Sequence, residues 1–149
     1  MKESDNAADG IVNENENAAS FSEQEFANWC EANEIDYDEN DMDEESLKDF
    51  LRIKKRFVKT VKVKRLVVDG TMLIYTVSKF SKAAGTQLTI SRPDGGNIIA
   101  MDGNKGAGQL QKFQGYLASI AKTEKSFIAR LDISDYQFLA DIGALFLVS

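Results

Sequence analysis

An α+β fold is predicted for this chain, with two N-terminal helices, a small antiparallel sheet of about four strands and two to three C-terminal helices. Three observations carry that prediction. Apolar residues recur at helical spacing between Leu47 and Val61, two β-branched runs flank Asp69-Gly70, and helical stripes return after Gln109 and after Ser134. At 149 residues with 43% apolar composition, the chain supplies one modest core plus an appendage. The expected organisation is a disordered acidic arm over 1–19, a helical acidic/basic segment over 20–62 and a small α+β domain over 63–149.

The elements follow in order. Residues 1–19 are rich in Asn, Ala, Asp, Glu and Ser, and their two isolated aliphatics, Ile11 and Val12, bury too little surface to offset chain entropy. Ser22 with Glu25 reads as a capping box, opening a short helix to about Asn33 whose stripe is Phe26, Trp29 and Cys30. After an acidic loop over 35–45, Asp43 starts a second helix that runs to roughly Val61, with Leu47, Phe50, Leu51, Phe57, Val58 and Val61 on one face. Val63–Val68 and Thr71–Val77 then form a hairpin about Asp69-Gly70. A second strand pair, Gln87–Ser91 and Asn97–Met101, is expected around Pro93-Asp94-Gly95-Gly96. The glycines Gly103, Gly106 and Gly108 lead into a helix over about Gln109–Ala121, with Leu110, Phe113, Leu117, Ile120 and Ala121 inward. A short apolar segment (Phe127, Ile128, Leu131) precedes Ser134, which is expected to cap a last helix from Asp135 to about Leu147.

Charge is divided unevenly. Of a net −6, residues 1–49 carry 17 acidic and 2 basic side chains, and residues 50–149 carry 7 acidic and 16 basic. The split implies an acidic arm or acidic partner surface beside a basic body. Arg52, Lys55, Arg56, Lys59 and Lys62 belong to a run without an intervening acid. One reading is a nucleic-acid contact that the acidic arm would oppose by imitating phosphate; the other is the solvated face of an amphipathic helix, since the apolar residues between them keep helical spacing.

Chemistry is scarce. Cys30 is the one cysteine and histidine is absent, which removes intrachain disulfides, the usual zinc sets and the commonest general base near neutral pH. No catalytic residues, cofactor or metal are expected. The acidic loop places Asp36, Asp38 and Asn40 like the first ligands of an EF-hand, but Asp41 stands where the turn glycine belongs and Leu47 where the bidentate glutamate belongs. The loop over Gly103–Gly108 lacks the Gly-Lys-Ser/Thr half of a phosphate loop and reads as a connector. Asp132 and Asp135 sit at a helix start, where carboxylates favour the dipole and free amides. Tyr75, Lys79 and Lys82 have no identifiable companion for nucleophilic work. Cys30 reads as a buried small hydrophobe. Without a long apolar run or a basic-then-apolar leader, the chain is expected in the cytoplasm and off the membrane.

The stretch Leu88-Thr-Ile-Ser-Arg-Pro-Asp-Gly-Gly-Asn97, then Met101-Asp102, Ala129-Arg-Leu-Asp-Ile-Ser-Asp-Tyr-Gln-Phe-Leu139 and Leu145-Phe146-Leu147 resembles the tail assembly chaperones of Mu-like and other contractile-tailed phages. The likeness covers roughly residues 86–149, and the acidic arm and basic helix have no counterpart in it. It implies a phage or prophage tail assembly factor, a chaperone for the helical tape-measure protein or a small tail subunit, that hydrolyses no nucleotide. Such a client needs an apolar groove. The candidate residues are Phe113, Leu117, Phe138, Ile142, Leu145 and Phe146, which would otherwise simply fill the core. A homo-oligomer is also compatible with that surface.

Overall fold

A computed structural model describes residues 21–97 and 108–148. The expected arm over 1–19, the strand residues 98–101 and nearly all of the glycine-rich loop lie outside them. The fold is α+β. In chain order it has α1 (described over 21–32), a 3-10 turn at Glu39–Asp41, α2 (Glu44–Lys62), β1 (Leu66–Asp69), β2 (Met72–Thr76), β3 (Gln87–Ile90), a helical segment α3 opening at 95–97, α4 (Gln109–Ile120), α5 (Lys125–Ala129) and α6 (Ile133–Val148).

Helices α2 and α6 begin where side chains satisfy free amides. Asp43 caps α2 by accepting from the Ser46 amide at 2.7 Å. Asp132 does the same for α6, accepting from both the amide (3.0 Å) and hydroxyl (2.6 Å) of Ser134. The expected cap, Ser134, therefore lies inside the helix, two residues beyond the true one. Residues 21 and 22 are already helical, so the box at Ser22–Glu25 does not mark the start of α1.

Helices α1, α2 and α4 all close with one geometry. A residue in the left-handed region, Glu34 (φ 57°), Lys64 (φ 62°) or Lys122 (φ 53°), lets the next amide reach back five residues. The resulting bonds are Ile35 to Cys30 (2.8 Å), Arg65 to Thr60 (3.1 Å) and Thr123 to Ala118 (2.9 Å). Glycine is the usual occupant of such a position, because a Cβ is strained there.

The sheet is antiparallel in the order β1-β2-β3, with Asp69 opposite Met72 and Leu73 opposite Ile90. Gly70 makes the tight hairpin turn at φ 61°. Leu66, Leu73, Tyr75, Leu88 and Ile90 alternate onto one buried face.

The expected fourth strand fails at its first residue, since Asn97 is helical. The Asp94 amide donates to the Asn97 side chain at 2.7 Å, and the Asn97 amide returns a bond to the Asp94 carboxylate at 3.2 Å. This reciprocal cap turns Pro93-Asp94-Gly95-Gly96 into a helix start instead of a hairpin turn.

One hydrophobic cluster joins all the parts. Phe26 and Trp29 of α1 meet Phe57 of α2 at ring separations of 4.9 and 5.4 Å, and Trp29 meets Phe146 of α6 at 5.5 Å. Tyr75 of β2 stacks on Phe138 of α6 at 4.5 Å and 10°. The helical segment 20–62 and the α+β part thus share a single core. Helix α6 runs through its middle, packed on α2 and α4. A Cβ built on Gly143 would lie 2.6 Å from Leu117 Cδ2 and 3.1 Å from Tyr116 Cε2, so glycine sets the spacing of α6 and α4.

Two stability changes follow. Gly143→Ala should lower the unfolding free energy by about 1–2 kcal/mol, overpacking outweighing the gain in helix propensity. Lys122→Gly should raise it by about 0.5–1 kcal/mol by relieving the left-handed strain. Urea unfolding of the two variants against the parent measures both.

Candidate functional site

The residues first assigned to a client surface do not form one. Leu117 and Ile142 are fully buried, and Phe138 and Leu145 nearly so, while Phe113 and Phe146 are half-buried against the same core. The correction has a plain cause: α6 carries apolar side chains around most of its circumference, and such a helix is enclosed by its neighbours instead of offering one greasy stripe.

What stays outside lies at the ends of these helices. Leu110, expected inward, is 63% exposed at the start of α4, and Ile133 is 65% exposed at the start of α6. They flank a shallow depression of about 280 Å³ that also involves Gln114, Ala129, Leu131 and Tyr136. The Tyr136 hydroxyl is shielded there and meets no hydrogen-bonding group of the described residues. Sequence periodicity misses this patch because its members come from three separate elements.

The five basic candidates divide. Arg52, Lys55, Arg56 and Lys59 line a cleft of about 370 Å³ between α2 and the first turns of α6, joined by Arg65, Ser134 and Gln137; Lys62 is exposed but outside it. Two of these cations are already engaged. Arg52 and Arg56 donate to opposite oxygens of Asp141 at 2.9 and 2.6 Å, and the Asp141 side chain is only 10% exposed. No carboxylate among the described residues lies within 4.0 Å of Lys55 or Lys59.

Behind the cleft sits a second buried carboxylate, Asp135, with no solvent exposure. It accepts from the Tyr75 hydroxyl, the Ser78 amide (2.9 Å), the Ser78 hydroxyl (2.7 Å) and the Ser81 hydroxyl (2.7 Å), with the Arg65 guanidinium 3.6 Å away. Burial pushes its pKa up, but the donated hydrogen bonds overcome that and hold the carboxyl below its ordinary 3.8. Tyr75 moves the opposite way, raised by burial and then by its bond to Asp135. Tyr75 and Asp135 thus have companions that the sequence did not reveal, 60 residues apart. They tie α6 to the sheet and its following loop.

The remaining candidates are accounted for locally. The Asp36 and Asp38 carboxylates accept from the Asp38 and Asn40 amides, each at 3.0 Å, shaping the acidic loop and its 3-10 turn. No group of three or more metal-ligating side chains is assembled among the described residues. Burial pushes the Cys30 thiol up to about 12, leaving it an unreactive core group at neutral pH. Lys79 stands over the Phe80 ring at 5.3 Å.

Comparison with family models, curated proteins and solved structures finds no match. No helix of the described residues is long and apolar enough to cross a membrane.

Asp135→Asn should lower stability by about 2–4 kcal/mol at pH 7, because a charged acceptor with several donors is lost. Folding depresses this carboxyl's pKa, so its contribution is complete above the unfolded value of 3.8 and disappears as pH falls through the folded value. Urea titrations of parent and variant should therefore converge below that range.

Proposed function

We propose that the protein is a tail assembly factor of a phage or prophage, a protein-binding chaperone for a tape-measure protein or a small tail subunit, acting in the host cytoplasm without catalysis, metal or cofactor. The observation that carries this reading is the apolar patch in which Leu110 and Ile133 are exposed and Leu131 and Tyr136 are half-buried beneath them. It falls within the part of the chain that resembles tail assembly chaperones. A long helical client with an apolar stripe needs such a surface to stay soluble, and the shallow depression at the junction of α4, α5 and α6 offers one. The client site accordingly moves from the buried stripe of α6 to the exposed starts of α4 and α6.

Nucleic-acid association through α2 is the alternative and has less support. Lys62 stands outside the cleft, and Arg52 and Arg56 share the buried Asp141 carboxylate. The basic side chains are gathered into a local cleft and not laid out as the continuous positive track that backbone binding requires.

Coexpression with the tape-measure protein of the same genome tests the proposal. The parent should keep that client soluble and copurify with it. Leu110→Asp with Ile133→Asp should weaken the complex at least about tenfold, since each buried aliphatic contributes about 1.5–3 kcal/mol. Both side chains are exposed, so the variant should unfold at the parental urea midpoint. A client that is insoluble with the parent, or bound equally by the variant, overturns the assignment.

A further inference from the structure

We infer that the basic cleft between α2 and α6 is a binding site for a compact polyanion bearing two or more phosphoryl groups, such as inorganic pyrophosphate or the phosphate tail of a nucleoside polyphosphate. This does not rest on the protein-binding role, which uses a different surface.

The site is built by helical spacing. Positions 52, 55, 56 and 59 fall on one face of α2, and the start of α6 closes over that face to leave a concavity of about 370 Å³. A volume of that order suits a small ligand better than an extended strand.

Its arginines are set before any ligand arrives. Arg52 and Arg56 are each held through one nitrogen by Asp141. Arg65 is held by the Tyr75 hydroxyl at 3.0 Å and the Thr76 carbonyl at 3.3 Å, beside Asp135. A guanidinium tethered at one nitrogen keeps other N–H groups for an oxyanion, and its side-chain entropy is already lost.

Charge then selects the ligand. Among the described residues, the carboxylates facing these cations are Asp141 and Asp135, with Asp49 4.0 Å from Arg52. Because no carboxylate of the described residues pairs with Lys55 or Lys59, the described part of the cleft keeps a surplus of about two to three positive charges, which a multiply charged anion matches and a single carboxylate does not. Gln137 and Ser134 add neutral polar groups on the opposite wall.

Two features disfavour a nucleic-acid strand. The aromatic rings at the cleft, Tyr75 and Phe138, are buried against each other and leave no face for a base. The exposed acids from Asp36 to Glu45 repel a backbone that extends past the N-terminal end of α2.

Isothermal titration of the full chain tests the inference with inorganic pyrophosphate, magnesium-free ATP, monophosphate and a single-stranded DNA of about 20 nucleotides. Pyrophosphate and ATP should bind one to one, more weakly as salt rises, and monophosphate at least about tenfold more weakly. Equal affinity for pyrophosphate and ATP would place recognition in the phosphates alone; tighter ATP would show that the nucleoside is also held. Lys55→Gln with Lys59→Gln should reduce the affinity at least about tenfold at an unchanged unfolding midpoint, whereas Lys62→Gln with Lys64→Gln should leave it unchanged. Absence of saturable binding, insensitivity to the Lys55/Lys59 pair, or DNA binding that pyrophosphate does not displace would each overturn it.

Discussion

Helix α6 is apolar around most of its circumference, and the fold is organised by the need to enclose it. Sheet, α2, α4 and α1 each contribute a wall: Tyr75 stacks on Phe138, Leu117 sits against Gly143, and Trp29 meets Phe146. Two acidic residues on this helix, Asp135 and Asp141, would make such burial prohibitive if left unpaired. Each is met instead by groups from a distant part of the chain, three hydroxyls and an amide for Asp135 and two guanidiniums for Asp141. Apolar contact drives the enclosure, and the carboxylates fix the angle and register at which it closes.

The surface features descend from that enclosure. Because α6 is enclosed along most of its length, Leu110 and Ile133, at the starts of α4 and α6, are left projecting beyond the core. Because Asp141 draws Arg52 and Arg56 toward α6, the cationic face of α2 becomes the wall of a cleft. A shallow apolar depression and a basic concavity thus stand beside different residues of α6, Ile133 and Tyr136 for the first and Ser134, Gln137 and Phe138 for the second.

Local patterns were legible wherever one element supplied its own evidence. The periodicity of Phe50, Phe57 and Val61 with the Asp43 cap located α2 within a residue, and Asp69-Gly70 located the hairpin. The start of α4 was equally clear, its glycine-rich approach giving way to helical spacing at Gln109. Misreadings arose where two local signals competed. Asp94 and Asn97 can shape a turn between strands or cap a helix, and the cap prevails. Likewise Asp132, two residues before Ser134, takes the capping position at α6.

Sequence alone determined the α+β class, the charge division, the lack of histidine and most members of the apolar stripes, Leu51 and Leu110 excepted, because each depends on composition or on spacing along one element. Only tertiary structure decided that Leu117, Phe138, Ile142 and Leu145 face a core, that Leu110 and Ile133 do not, and that Asp135 and Asp141 are anchors. Periodicity shows that a side chain belongs to an apolar face; whether water or protein covers that face depends on elements tens of residues away. The same holds for charge, since the partners of these two carboxylates lie 54 to 89 residues distant along the chain.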